Sequence, residues 1–203
     1  LTSKQVGAAY GHEMILLLMG GSMLSTALER SGAHRRIAVK MVRLVGGSSS
    51  WRLILGFMVA GAALSMWISN VATALMMLPI AVAAVEPVAD RRVGRAMMLG
   101  TAYAASIGGI GTPVGTPPNL IFMNAYHTAT GREVSFLTWM TWAMPIVVLM
   151  IPIATWWLAR GLPRKLEIEL PKPGPWRPEE VRTLAVFAVT ALLWITRADP
   201  WGG

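Results

Sequence analysis

Apolar residues run along this chain in five stretches: Met14 to Leu28, Trp51 to Val85, Ala96 to Ala125, Phe136 to Ala159 and Thr183 to Thr196. They do not alternate with polar residues as the strands of a membrane barrel do. One helical crossing takes about 20 such residues. The pattern predicts an all-α membrane protein, a polytopic helical bundle. The second stretch is too long for one crossing and short for two. Its flanks decide between them. Arg30, Arg35, Arg36, Lys40, Arg43 and Arg52 precede it, and Arg91, Arg92 and Arg95 follow it. Basic residues collect on the cytoplasmic side, so both ends lie there. This predicts a re-entrant helical hairpin with its tip at Ser69-Asn70. Arg160, Arg164, Lys165, Lys172, Arg177 and Arg182 mark a second cytoplasmic segment. Of the 18 Lys and Arg, only Lys4, Arg132 and Arg197 fall elsewhere. Asn124 to Val134 and the chain from Ala198 are then periplasmic.

Two smaller elements follow from the same pattern. Between Ser31 and Gly46, Ile37, Met41, Leu44 and Val45 share one face, and Arg36, Lys40 and Arg43 lie largely on the other. That suits a helix in the membrane interface. Pro163 to Pro178 is a Pro- and charge-rich connector. Gly20-Gly21 reads as a close-packing site within the first helix. The expected organisation is a scaffold helix plus interfacial helix over 1–46 and a re-entrant hairpin over 47–90. A discontinuous transmembrane helix over 91–130 and a further span over 131–162 follow, then a linker over 163–182 and a truncated span over 183–203. Without an initiator Met or a closing element, the chain reads as a fragment of a longer protein.

Composition sharpens the class. Only 14% of residues are charged, against about 25% in soluble domains. The net charge of +8 sits beside apolar spans, not on a soluble face, which argues against a nucleic-acid partner. Cysteine is absent, so there is neither a disulfide nor a thiolate metal site. Nine Trp and fourteen Met fall mostly in or beside spans, as bulk and interfacial anchors.

Two segments break helical rules inside apolar surroundings: Ser65 to Thr73, and Ser106 to Asn119, with its glycines at 108, 109, 111 and 115 and prolines at 113, 117 and 118. Irregular backbone at membrane depth survives only when buried in protein or lining a polar cavity. The second segment cannot be one helix. A helix should end near Gly108 and another begin near Asn119, where Pro is tolerated in the first turn. Carbonyls freed at such a break suit a hard cation such as sodium, and a half-helix start suits an anion. The hydroxyls of Ser65, Ser69 and Thr112, the amide of Asn70 and the carbonyls near Gly109 and Gly111 are the candidate cation ligands. Thr116, Pro117 and Asn119 form the candidate anion-facing helix start. Neither segment holds a carboxylate, so an anion can enter without repulsion. Ser65 and Ser69, four apart, share a helix face.

These motifs resemble those of the divalent anion/sodium symporter family, the sodium-dicarboxylate and sodium-citrate carriers. The resemblance covers nearly the whole chain, through Met19 to Gly46, Trp67 to Pro79 and Gly108 to Asn119. It implies an elevator-type carrier that couples sodium to movement of a dicarboxylate or similar divalent anion. It also implies a homodimer in a bacterial inner membrane, no organic cofactor, and two inverted repeats of which this chain is the first. It assigns Ser65, Ser69, Asn70 and Gly109 to Thr112 to a sodium site, and Asn70 and Val71 to the substrate. The family's Ser-Asn-Thr tip reads Ser69-Asn70-Val71 here. The lost hydroxyl removes a hydrogen bond to a charged group, a loss of about 1.5–3 kcal/mol.

Other chemistries are weaker. His12-Glu13 lacks the second His of a zinc helix, and Gly109-Ile110-Gly111 lacks the context of a dinucleotide loop. His34 and His127 read as solvated, and Glu86 and Asp90 as partners for nearby arginines. The alternatives are a carrier of sulfate, citrate or another oxyanion, a proton-coupled or arsenite-type permease, and a non-transporting scaffold or channel.

Overall fold

The computed structural model describes residues 13–47, 49–166 and 174–196. The side chains of Glu13 and Met14 are not among what it describes, so the expectation for His12-Glu13 lies outside it, as does part of the 163–182 connector. The described residues form eight helices. They are α1 (Glu13–Ser31), α2 (Ala33–Val45), α3 (Ser50–Ser65), α4 (Asn70–Val85), α5 (Arg91–Gly109), α6 (Pro117–Thr130), α7 (Phe136–Ala159) and α8 (Pro178–Thr196). No strand occurs among them. Helix α7 is long and apolar enough to cross a membrane; α3 and α4 are apolar but shorter.

Local chemistry sets the boundaries. Side chains of Ser49, Ser69, Asp90 and Ser135 cap α3, α4, α5 and α7 by accepting from backbone N–H groups of the first turn, which satisfies donors that a helix start leaves free. Asp90 also binds the Arg92 guanidinium at 2.8 Å, and this contact holds its carboxyl below the usual value. Pro117 and Pro118 occupy the first turn of α6, and Gly131 closes it at φ 69°, a left-handed geometry that glycine adopts at little cost. Helix α5 begins at Arg91 rather than at the apolar run because Asp90 caps it there. Helix α8 begins at Pro178, with Glu179 and Glu180 in its first turn, where acidic groups favour the helix start.

Helix α3 is the hub, packed by α2, α4 and α7 and most extensively by α5. Small residues allow the close approach of α3. A β-carbon on Gly61 would come within 3.2 Å of the Ala104 side chain, and one on Gly108 would overlap the Ala62 backbone. Gly100 faces Ile54 and Met58. Helices α3 and α5 therefore run parallel. In contrast, Asn70 adjoins Gly109 while Val85 adjoins Gly94, so α4 runs antiparallel to both. Helices α3 and α4 form a helical hairpin turned at residues 66–69. Its tip is held by Trp67, edge-on to Phe187 at 4.9 Å and stacked on Phe136 at 6.1 Å. Helix α1 continues through Gly20-Gly21, and Val114 packs on Gly21 with only 3.1 Å to spare for a β-carbon.

Helix α2 differs from expectation in one respect. Its buried face is Ala33, Ala38, Val39 and Val42, while Leu44 is 86% exposed. Ile37 and Met41 lie at the edge of an apolar arc wider than the four residues read from the pattern. Across its other side, Arg36 reaches Glu180 of α8, with Nε 2.8 Å from Oε2. The Arg36 guanidinium also donates to the Gly174 carbonyl and lies over the Trp176 ring. His34 is half-buried rather than solvated, its Nδ1 2.7 Å from the Leu28 carbonyl, one of the last in α1.

Candidate functional site

Parallel α3 and α5 end at one level, at Ser65 and Gly109, and α4 and α6 start beside them. Two C-terminal and two N-terminal helix ends thus converge. Ser65 is fully buried. Its Oγ lies 2.7 Å from Asn70 Oδ1 and 2.6 Å from the Ala105 carbonyl oxygen. The three oxygens come from three helices. A serine hydroxyl carries one proton and can donate to only one of the other two.

The break after α5 is held by side chains. Asn119 Nδ2 lies 2.8 Å from both the Gly109 and Thr112 carbonyl oxygens and donates to each. Trp139 Nε1 donates to the Ile110 carbonyl at 2.8 Å, and the Thr112 hydroxyl donates to the Met66 carbonyl. These bonds satisfy carbonyls that the interrupted helices leave over. The Thr112 bond ties one break to the other. Glycine is required at two close approaches. A β-carbon on Gly109 would overlap the Asn70 amide, and one on Gly115 would strike the Gly109 carbonyl.

The α4 start has a different character. Ser69 is exposed and its hydroxyl accepts from Ala72 N–H at 3.2 Å. The N–H groups of Asn70 and Val71 are first-turn donors with no partner inside the helix. Val71 is 69% exposed. At α6, by contrast, Pro117 and Pro118 carry no N–H, and the Asn119 N–H turns back to the Thr116 carbonyl at 3.1 Å. The α6 start offers its dipole more than its donors.

The model of a family described as citrate transporter matches residues 1–199. The chain belongs to the citrate transporter family. It is 34% identical over 220 residues to the sodium-dependent dicarboxylate transporter SdcS of Staphylococcus aureus strain NCTC 8325 / PS 47, and equally to that protein in strains COL and N315. The match covers 97% of this chain and 42% of each relative, so the chain spans less than half the length of these relatives. The resemblance to sodium-coupled divalent anion carriers agrees with both findings. The family's description and the relatives' names are both those of transporters.

Within this member of the citrate transporter family, Ser65, Asn70 and Gly109 come together. Thr112 and Gly111 lie in the adjoining loop, with the Thr112 hydroxyl committed to Met66. Ser69 faces outward as a cap. Thr116 is half-buried and Pro117 exposed. Asn119 is buried, its nitrogen committed to the loop. Sequence reasoning missed the Ala105 carbonyl, Trp139 and the hydrogen-bonding role of Asn119. No local signal marks a carbonyl inside a regular helix, and the reach of Trp139 to Ile110 depends on tertiary packing. The Asn119 side chain had a weak signal, an amide directly after the Pro117-Pro118 pair.

Proposed function

We propose that the complete protein is a secondary active carrier that couples sodium to the movement of a dicarboxylate or similar divalent anion across the bacterial inner membrane. The convergence of the four helix ends is the observation that carries this reading. Two C-terminal ends present oxygen, two N-terminal ends present positive dipole, and among the described residues no carboxylate stands between them. Ser65 Oγ, Asn70 Oδ1 and the Ala105 carbonyl begin a cation shell, with Ser69 and the Gly109 to Thr112 loop around it. Without the ion, the Asn70 amide can turn its nitrogen toward Ser65 so that every proton has an acceptor. With the ion, the oxygen turns inward and the three oxygens spread around it.

The anion docks at the α4 start, on the N–H groups of Asn70 and Val71, with Thr116, Pro117 and Asn119 on the second helix start. Sodium gathered behind Asn70 favours the anion in front of it, which gives coupling by charge alone. The α3–α4 hairpin is re-entrant, and α3 to α6 form the moving part of an elevator. The scaffold of α1, α7 and α8 supports it within a homodimer. Uptake of labelled succinate by proteoliposomes of the complete protein tests the reading. Uptake should require an inward sodium gradient and stop when choline replaces sodium; equal uptake in choline refutes sodium coupling.

A further inference from the structure

We infer that Thr73 is a further ligand of the coupling cation, its hydroxyl joining the shell begun by Ser65, Asn70 and the Ala105 carbonyl. This rests on the cation site proposed above. Thr73 is completely buried, and its Oγ1 has no hydrogen-bond partner. The other buried hydroxyls among the described residues are all bonded. Ser50 donates to Pro163, Ser65 lies between two oxygens, and Thr101, Thr112 and Thr155 donate to backbone carbonyls. Helical threonines usually relieve their hydroxyl on the carbonyl four residues back. Thr101, Thr128, Thr155 and Thr190 do so here. Thr73 does not, although the Ser69 carbonyl is in place and receives its N–H at 2.9 Å.

Its position gives the reason. Thr73 follows Asn70 by three residues, so the two are neighbours on one side of α4. Helix α4 runs antiparallel to α5, with Asn70 beside Gly109 and Val85 beside Gly94. The register therefore sets Thr73 at the level of Ala105 and Ser106. Ala105 is the residue whose carbonyl faces Ser65. A buried hydroxyl without a partner costs free energy, and one at the level of the Ala105 carbonyl, one turn from Asn70, has a use that compensates. Hydroxyl and carbonyl lone pairs suit a hard monovalent cation, and Thr73 brings an oxygen without adding charge.

The test uses the complete protein in detergent, with sodium chloride as ligand and choline chloride at equal ionic strength as control. Thermal melting reads binding without transport. Thr73→Val and Thr73→Ala remove the hydroxyl, Thr73→Ser keeps it, and Ser65→Ala perturbs the proposed shell elsewhere. Hydroxyl removal should raise the sodium concentration for half-maximal stabilisation about tenfold or more, with Thr73→Ser close to the unmodified protein. Unchanged sodium dependence in Thr73→Val and Thr73→Ala, with Ser65→Ala shifted, overturns the role of Thr73 and leaves the cation site standing. A Thr73→Ser protein as impaired as Thr73→Val overturns it too, because packing would then be the cause. An unmodified protein that sodium does not stabilise overturns both.

Discussion

Asn70 packs its side-chain amide directly on the α-carbon of Gly109, leaving no room for a β-carbon between them. This contact joins the start of α4 to the end of α5, and so one break to the other. Overpacking a tight site costs about 1–3 kcal/mol. Gly109→Ala should therefore lower the melting temperature and weaken the response to sodium. Gly20→Ala is the control, since its β-carbon would meet only Trp194 at an ordinary 3.8 Å. Melting curves of both variants, with and without sodium, check the contrast.

Asn119 holds the loop closed through two carbonyls at once. Asn119→Leu keeps much of the volume and leaves the Gly109 and Thr112 oxygens without their donor. Each unsatisfied buried group costs about 1–3 kcal/mol. Thermal unfolding should show a marked loss of stability, larger than for Thr116→Val, whose hydroxyl makes no capping bond.

Val71 stands where the resembling carriers have a threonine, on the exposed rim of the α4 start. Its N–H remains a donor, so under the proposed docking the anion would keep a backbone contact and lose a side-chain one. Val71→Thr should strengthen dicarboxylate binding by about 1.5–3 kcal/mol, tenfold or more in affinity, and leave sodium dependence nearly unchanged. Substrate titrations at fixed saturating sodium measure the effect. An unchanged KM would place the anion away from this side chain.

The Arg36–Glu180 pair clasps α2 to the start of α8, while α2 also packs on α3. Helix α2 thus bridges the hairpin and the last helix. Glu180→Gln removes the charge and retains the shape, and should loosen α2. Hydrogen exchange across 33–45 should quicken, with protection of α3 much less affected.

Much of this was legible from residue types alone. Gly and Pro marked the second break, and Ser69-Asn70 marked the first because it lies near the middle of an apolar run too short to span twice. The Phe136 to Ala159 helix was read at both ends, since Ser135 caps it and Arg160 ends the apolar run. What was hidden depends on helices meeting. Ala105 sits in unbroken helix, and only the parallel approach of α3, made possible by Gly61, Ala104 and Gly108, brings its carbonyl to Ser65. The buried face of α2 was read only in part, for a related reason. Ala38, Val39 and Val42 look weaker in a pattern than Leu44, yet they are buried where Gly56 lets α3 approach the Val42 and Gly46 backbone.

The most direct measurement is the structure of the complete protein determined twice, in sodium and in choline. In sodium, an ion should lie among Ser65 Oγ, Asn70 Oδ1 and the Ala105 carbonyl, and in choline that position should be empty with Ser65 bonded to the Asn70 amide. An ion bound elsewhere, with these three oxygens equally close in both salts, would contradict it.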